Sequence, residues 1–548
     1  MTITTDRAKK PDKELLYTGF EKLPATLKEL GYSALREGQD EAVMNILFGK
    51  DTLCVLPTGF GKSAIYITPT RALDWKALIF SPLISLMQDQ VEALWGYGFA
   101  AGQISSSQSL TENNTALSEW ERGDLQFMLV APERLKNERF LEVISRTKPN
   151  LVVVDEAHCV SQWADSFRPD YLRIGDFITD NSPDCVLALT ATLTGDMEIE
   201  VREALSIQGA EKIVYYPERK NLLFCYDTYD LSKLRHRINS IDGPVIVYCP
   251  TKKLTHELFD CLRGQIDGEC LVYNGGMKPD ERTTNQNLFM SNKVRVMFAT
   301  NAFGLGVNKP DIRGVIHIGY PGSIEQYVQE AGRAGRDGIE SSCVLFGNSD
   351  SLSTQQWFIE TTFPTENEIR RVYSKVKSLS DSAGIARLTI IDLAKHTGLH
   401  AATVTSSLGV MSGYKVVDRN LSIKKTAKIR ILKEHLDDKY SSILSDVEKF
   451  GFLEGKFYDV DLTYFAETRG VKVPSILKDF RDLNNAGYIM YVPPFNGKPT
   501  KVIGDISLID FSKLGEKRSE AFKKIDELVE FCQLNSTEKH AFLTDYFS

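Results

Sequence analysis

At roughly 150 residues per domain, a chain of 548 residues holds three or four domains. A composition of 42% hydrophobic and 25% charged residues, with 38 glycines and 20 prolines, excludes a disordered, collagenous or coiled-coil protein and leaves apolar material for several cores. The balance of 65 Lys and Arg against 73 Asp and Glu, a net charge of −8, leans away from a nucleic-acid surface, although a basic groove can sit on an acidic body. No apolar run approaches the ~18 residues that span a bilayer, and the opening MTITTDRAKKPDKE lacks the apolar centre of a signal peptide. A soluble, intracellular protein without a membrane partner is expected. The nine cysteines are scattered with no CxxC pair, the pattern of buried reduced thiols and not of a disulfide framework or zinc cluster.

In chain order, apolar runs of strand length recur at TLCVL (52–56), ALIFS (77–81), FMLVAP (127–132), LVVVDE (151–156) and VLALTAT (186–192). They are continuous in Val, Leu and Ile and do not alternate with polar residues, which suits strands covered on both faces of a parallel sheet. The pattern resumes at VIVYCP (245–250), CLVYNGG (270–276), VRVMFATN (294–301), GVIHIGYP (314–321) and SCVLFGN (342–348). Helix-length stretches separate the runs, so the fold class is α/β with two tandem parallel-sheet domains, the break falling near 208–222.

Past about residue 365 the texture becomes helical with small polar turns. Residues 389–418 and 461–492 read as two helix–turn–helix units, each followed by a wing. Aligned on Gly398 and Gly470, they place apolar residues at matched offsets: Val404 with Ile476, Leu408 with Phe480, Met411 with Leu483. Gly413 and Gly487 are placed to open the wings. Winged helices bind DNA in many proteins and only pack against other proteins in many more. Basic clusters at Lys424, Lys425, Lys428, Arg430 and Lys433, and at Lys517, Arg518, Lys523 and Lys524, are either phosphate contacts or solvated faces.

Three segments carry chemistry. LPTGFGKS (56–63) follows a strand and leads into a helix, as a phosphate-binding loop does. Gly59 and Gly61 let backbone N–H groups wrap phosphates, Lys62 reaches the β- and γ-phosphates, and the Ser63 hydroxyl is placed for Mg²⁺. The first glycine of the full pattern is replaced by Leu56. LVVVDEAH (151–158) ends a buried strand in two acids, Asp155 to hold Mg²⁺ and Glu156 to polarise the attacking water. QEAGRAGRDG (329–338) supplies Arg333 and Arg336, two guanidiniums suited to transition-state charge on a γ-phosphate. The first two segments belong to one sheet domain and the third to the other, so hydrolysis requires the domains to close on one nucleotide.

With these segments in place, the chain from about residue 24 to 348 resembles the RecQ family of superfamily 2 DNA helicases. LKELGYSALREGQDEAV (27–43) resembles that family's adenine-recognition segment. The resemblance implies that Tyr32 and Arg36 sandwich the base, that Gln39 bonds its edge, and that Thr58 and Gly306 complete the nucleotide site. SPLISLMQDQV (81–91) and APERL (131–135) resemble strand-contacting motifs, which implies DNA contacts from Ser81, Gln88 and Thr300. DEAHCVSQWADSFRPDY (155–171) runs from the acidic pair into an aromatic-rich loop that marks the family. By that likeness Trp163, Phe167 and Arg168 touch single-stranded DNA, and aromatic faces stack on bases without reading sequence. His158, Gln162, Thr190, Thr192 and Gln329 are implied to couple strand and nucleotide.

The resemblance implies an ATP- and Mg²⁺-dependent enzyme that moves 3′ to 5′ on single-stranded DNA and separates duplex or forked DNA in the cytoplasm or nucleoid of a bacterial or phage-like setting. An RNA remodeller on the same motor, or an ATP-gated clamp that does not unwind, are the alternatives. Departures are present: Ala164-Asp165-Ser166 stands where Gly-His-Asp is usual, Asn308 where an aspartate is, and YNGG (273–276) where YHAG is. Family members also carry a helical hairpin with four zinc-binding cysteines, whereas here only Cys532 follows Cys343, so no four-thiolate zinc site is expected. Residues 528–548 resemble that hairpin, and the sequence stops where its CxxC would come, through loss of the module or through truncation. Apolar packing of Phe531, Leu534, Phe542, Leu543, Tyr546 and Phe547 would then replace the metal's contribution to folding. The expected divisions are an N-terminal extension (1–23), two RecA-like domains (24–207 and 208–364), a winged-helix region (365–512) and a terminal hairpin (513–548).

Overall fold

A computed structural model describes residues 13–547 except 58, 83, 161–169, 192, 194, 217, 305–308, 420, 422–425 and 433–454. The chain forms two compact units, one of residues 1–360 with 516–548 and the other of residues 361–515. The second is thus an insertion between the motor and the C-terminal segment.

The larger unit holds two parallel sheets. In the first, β1 (Thr52–Val55), β2 (Ala77–Phe80), β3 (Ala101–Ile104), β4 (Phe127–Val130), β5 (Leu151–Val154), β6 (Cys185–Thr190) and β7 (Glu211–Val214) take the order β3-β4-β2-β5-β6-β1-β7. In the second, β8 (Leu222–Thr228), β9 (Val245–Tyr248), β10 (Cys270–Tyr273), β11 (Val296–Ala299), β12 (Gly314–Ile318) and β13 (Ser341–Gly347) take the order β10-β11-β9-β12-β13-β8. The continuous apolar runs have a direct physical cause. Leu53 and Val55 enter the core on one face of the first sheet while Cys54 and Leu56 enter the core on the other, so both strand faces need apolar side chains. These are two RecA-like α/β domains.

The strands absent from the sequence reading, β3, β7 and β8, all lie at sheet edges. An edge strand is half covered, and AGQI, EKIV and LLFCYDT mix buried with half-buried or exposed positions accordingly. β7 pairs with β1 in parallel register, Thr52 opposite Glu211 through Val55 opposite Val214. The first lobe therefore runs past residue 207 to Val214, and the change of sheet falls between Val214 and Leu222.

The outer edge of β8 is covered by the C-terminal hairpin, helices Phe511–Gln533 and Ser536–Phe547. His540 Nε2 lies 3.1 Å from the Leu222 carbonyl oxygen, giving an edge acceptor a side-chain partner. Leu528, Phe531, Leu543 and Phe547 are buried in one cluster with Leu222, Phe224 and Tyr327 of the second lobe. Cys532 is buried there too, and burial pushes its thiol up to about 12. Phe531 is 1% exposed with its ring 6.4 Å from Phe224 and 5.9 Å from Tyr327. Phe531→Ala is expected to cost about 3–5 kcal/mol through the cavity it leaves, read as early loss of amide protection on β8 during denaturation.

The inserted unit contains both helix–turn–helix motifs, Ile390–Thr397 with Ala401–Gly413 and Leu462–Arg469 with Val473–Asn485. Gly398 and Gly470 take the left-handed conformation at the turns, φ 66° and 64°. Val404, Leu408, Met411, Ile476, Phe480 and Leu483 are all fully buried. Two three-stranded antiparallel sheets serve as wings. β14 (Ile385–Ala386) and β15 (Val417–Asp418) flank β19 (Thr500–Val502), while β17 (Phe457–Asp461) and β18 (Ile489–Val492) flank β16 (Thr426–Ile431). Gly487 opens the second wing at φ 76°, but its counterpart in the first copy is Lys415 at φ 55°, Gly413 being the last helical residue.

Of the basic clusters, Lys428 is exposed on β16 and Arg430 lies 5.2 Å over the Phe457 ring. Lys424, Lys425 and Lys433 lie outside the described residues. Lys517, Lys523 and Lys524 are in ion pairs with Glu200, Glu527 and Glu325 respectively, and Arg518 lies over the Phe522 ring.

Candidate active site

In parallel sheets, functional groups gather beyond the C-terminal strand ends. β5, β6 and β1 are adjacent in the first sheet, so their ends bring together segments far apart in sequence. The phosphate-binding loop leaves β1, Asp155 and Glu156 leave β5, and Thr190 ends β6. Facing them is the helix Ile324–Ala331 of the second lobe and the turn after it, which carries Arg333 and Arg336. The cleft between them, about 400 Å³, is lined by Gly59, Gly61, Lys62, Ser63, Asp155, Glu156, Gln329, Arg333 and Arg336, with Tyr32 at one side.

Gly59 and Gly61 adopt φ 78° and 79°, a conformation that disfavours a side chain. A Cβ at Gly59 would also stand 3.0 Å from Arg336 Cδ, so the second lobe's arginine lies directly against the loop. Lys62 is the N-cap of the helix Ser63–Ala72, and its buried ammonium has no hydrogen-bond partner. A buried cation without a hydrogen-bond partner, at a helix N-terminus just after two glycines, is a fit for a phosphate oxygen.

Asp155 Oδ1 accepts from the Glu156 N–H at 3.0 Å and Oδ2 accepts from Gln90 Nε2 at 3.1 Å. Burial, with the Glu156 charge adding to it, pushes the Asp155 carboxyl up to about 6. Glu156 is itself at φ 50°, a strained position for a residue with a side chain. Burial works to raise its carboxyl too, but Lys62, His158 and Arg333 together outweigh burial and hold it below the ordinary range. His158 Nδ1 lies 2.9 Å from Thr190 Oγ1 and 3.4 Å from Glu156 Oε2, linking the ends of β5 and β6. Burial lowers the His158 pKa, the Glu156 carboxylate opposing it, so the ring is neutral near pH 7.

On the second lobe, Arg333 is 4% exposed and donates through Nη1 to the Gly304 carbonyl. Arg336 is brought down to about 10, first by burial and then by the neighbouring cations Arg333 and Arg219. A buried, mutually repelling pair of guanidiniums facing an unpaired ammonium is an electrostatic seat for a polyanion. Ser63 and Asp155 offer hydroxyl and carboxylate oxygens, the donor set of a hard divalent cation such as Mg²⁺.

The expected base-binding residues are arranged differently from the sandwich implied by sequence. Gln39 has both halves of its amide engaged: Nε2 donates to the Phe60 and Gly61 carbonyls at 2.7 and 3.1 Å, and Oε1 accepts from the Arg36 N–H at 2.9 Å. It clamps the phosphate loop. Arg36 lies 5.2 Å over the Phe60 ring, while Tyr32 meets Tyr97 edge-on with their hydroxyls 3.2 Å apart. Ser81 is fully buried with an unpaired hydroxyl and Thr300 is 8% exposed, so of these three strand contacts only Gln88 is on the surface, 3.2 Å from Glu92. Gln329 lines the cleft with its amide nitrogen unpaired. Thr58, Gln162, Trp163, Phe167, Arg168, Thr192 and Gly306 lie outside the described residues.

Sequence reading missed the cleft-facing side of the helix Ile84–Gly96. Leu86, Asp89, Gln90, Ala93, Leu94 and, just past its end, Tyr97 line the cleft. Their spacing is helical, but a face of mixed polarity gives no apolar stripe to notice. Gln90 is the consequential member because it holds Asp155. Gln90→Leu is expected to weaken divalent-cation use about tenfold or more, measured as the Mg²⁺ concentration giving half-maximal ATP turnover.

Fold and site together define a two-lobed RecA-like α/β protein whose interlobe cleft is built to seat a polyanion. The DEAD/DEAH box helicase domain family matches residues 36–199, and the helicase conserved C-terminal domain family matches residues 229–338. A Bacillus subtilis protein named "Probable ATP-dependent DNA helicase RecS" is 37% identical over 358 residues, covering 64% of this chain and 72% of that protein. The ATP-dependent DNA helicase RecQ of the same organism is 35% identical over 362 residues, covering 64% of this chain and 60% of that protein. The ATP-dependent DNA helicase Q-like 5 of Arabidopsis thaliana is 38% identical over 331 residues, 59% of this chain and 36% of that protein. The chain belongs to the RecQ family of DEAD/DEAH box helicases.

Proposed function

We propose that the protein is an ATP-dependent DNA helicase that moves 3′ to 5′ along single-stranded DNA and separates duplexes. The observation that carries this reading is the cleft itself, where the unpaired Lys62 of one lobe faces Arg333 and Arg336 of the other. A triphosphate bridging these cations draws the lobes together, and its hydrolysis and release let them part, so each ATP is linked to one cycle of lobe movement. DNA as the track is supported by the relatives named above, and the polarity by the family resemblance.

In this reading Lys62 and the loop N–H groups bind the β- and γ-phosphates, and Ser63 and Asp155 hold the Mg²⁺. The cation supplies charge neutralisation between the phosphates. Glu156, ionised at neutral pH, orients the attacking water, and Arg333 and Arg336 take up charge that develops on the transferred phosphoryl group. His158 with Thr190 connects Glu156 to the end of β6. Trp163, Phe167 and Arg168 are assigned to sensing the strand.

The test is strand displacement on duplexes with 3′ and 5′ tails, with ATP and with a non-hydrolysable analogue, alongside ATPase stimulation by single-stranded DNA and RNA. Displacement only with ATP and only from 3′ tails is expected. Stronger stimulation by RNA would move the reading to an RNA remodeller, and DNA binding without displacement to an ATP-gated clamp. Trp163→Ala is expected to lower DNA-stimulated turnover by about tenfold, in line with about 1–3 kcal/mol per stacked base, while sparing basal turnover. Equal loss of both would make Trp163 a structural residue.

A further inference from the structure

The helix Ile324–Ala331 places Arg333 and Arg336 at the cleft, and its first turn contains a carboxylate the chemistry above does not use. Glu325 is 2% exposed. A buried carboxylate is tolerated only beside a counter-charge, and here that charge comes from the C-terminal hairpin: Lys524 Nζ is 3.4 Å from Glu325 Oε1. Lys524 also pairs with Glu520, one turn earlier on its own helix, at 3.4 Å. Burial works to lower the Lys524 pKa, but Glu325 and Glu520 outweigh it and the ammonium is held charged. From the second hairpin helix, Tyr546 faces the same carboxylate. Burial, with the Glu325 and Glu527 charges, pushes its hydroxyl up and keeps it protonated.

Other hairpin contacts differ in kind. Lys523, next to Lys524, is exposed and its pair with Glu527 lies within one helix at 3.5 Å, a contact of little energetic weight.

We propose that Lys524, supported by Tyr546, is a positioning residue for ATP hydrolysis: through Glu325 the C-terminal hairpin holds the helix that leads into Arg333 and Arg336 in register with the phosphate loop. The hairpin is thereby a working part of the motor, although residues 361–515 separate it from the lobes in sequence. This rests on the role given to Arg333 and Arg336 in the proposed function.

The test compares Lys524→Met, Lys524→Arg, Lys523→Met and the double variant Lys524→Met with Glu325→Gln in the full chain. Readouts are kcat, KM for ATP, affinity for a fluorescent ADP analogue, and the unfolding midpoint. Lys524→Met is expected to lower kcat by about 10- to 100-fold, the effect of misplacing a catalytic group by about an ångström. Nucleotide affinity, set by the first lobe, stays within about twofold, since the altered contact acts on the transition state alone. Lys524→Arg restores most of kcat, and Lys523→Met leaves it unchanged.

The double variant separates positioning from stability. It removes the unpaired carboxylate, so the unfolding midpoint returns, but it also lacks the tether, so kcat stays low. Return of kcat together with the midpoint overturns the proposal, as does full kcat in Lys524→Met. If Lys524→Met does not fold, the neutral double variant carries the test by itself. Full ATP turnover in Arg336→Ala would instead sink the site assignment on which the inference stands.

Discussion

Lys62→Ala is expected to reduce ATP turnover by at least about 10²–10³-fold, the scale on which removing a single preorganised donor from a charged transition state is felt. The Lys62 ammonium is buried without a hydrogen-bond partner, so alanine breaks no bond, but it removes a cation that favours the charged forms of the buried Asp155 and Glu156 carboxylates. The unfolding midpoint is therefore expected to fall modestly and single-stranded DNA binding to persist, while nucleotide affinity falls. Steady-state ATPase measurement with thermal denaturation of the same sample checks both halves. Retained turnover would show that LPTGFGKS is not the phosphate loop.

Arg336→Ala is expected to cost about 10³-fold in turnover, at the lower end of what arginine fingers supply. Its signature differs from that of Lys62→Ala. Arg336 reaches the loop from the other lobe, against Gly59, so nucleotide affinity should change by much less than the rate. Its neighbours Arg333 and Arg219 are also cations, so its removal relieves repulsion among the three. A parallel loss of affinity and rate would place Arg336 among the ground-state binding groups. Single-turnover hydrolysis measured beside equilibrium binding of an ATP analogue separates the two cases.

Much of the motor was legible without coordinates because burial on both sheet faces forces continuous apolar strands. The strands that escaped, β3, β7 and β8, are edge strands whose open side permits polar residues. The inserted unit was legible for a different reason. Gly398 and Gly470 take the left-handed turn and anchor matched buried residues, a local regularity that survives in sequence. Where a side chain replaced the glycine, at Lys415, the alignment pointed to Gly413 instead, since no residue type announces a left-handed lysine.

The site divides in the same way. Lys62, Ser63, Asp155, Glu156, Arg333 and Arg336 were nameable because short motifs impose their own backbone geometry, and the fold brings all six to one cleft. Partners decided by long-range packing were not nameable. Gln39 resembles a base-reading residue, yet packing turns its amide onto the phosphate loop. Gln90 belongs to a segment that resembles a strand-contacting motif, yet packing of its helix brings its amide to Asp155, just past the end of β5.

The net charge of −8 and the scattered cysteines, taken alone, spoke against nucleic acid and against zinc. Charge proved a matter of placement: Lys62, Arg333 and Arg336 meet Asp89, Asp155 and Glu156 at one cleft, an arrangement that a sum cannot express. The sequence by itself determined the two α/β lobes, the paired helix–turn–helix units and six residues that line the interlobe cleft, because each follows from local periodicity or a short motif. Only the tertiary structure decided that the C-terminal hairpin belongs with the motor and that Lys524 meets the buried Glu325, because that pairing joins segments nearly two hundred residues apart, which no local pattern connects.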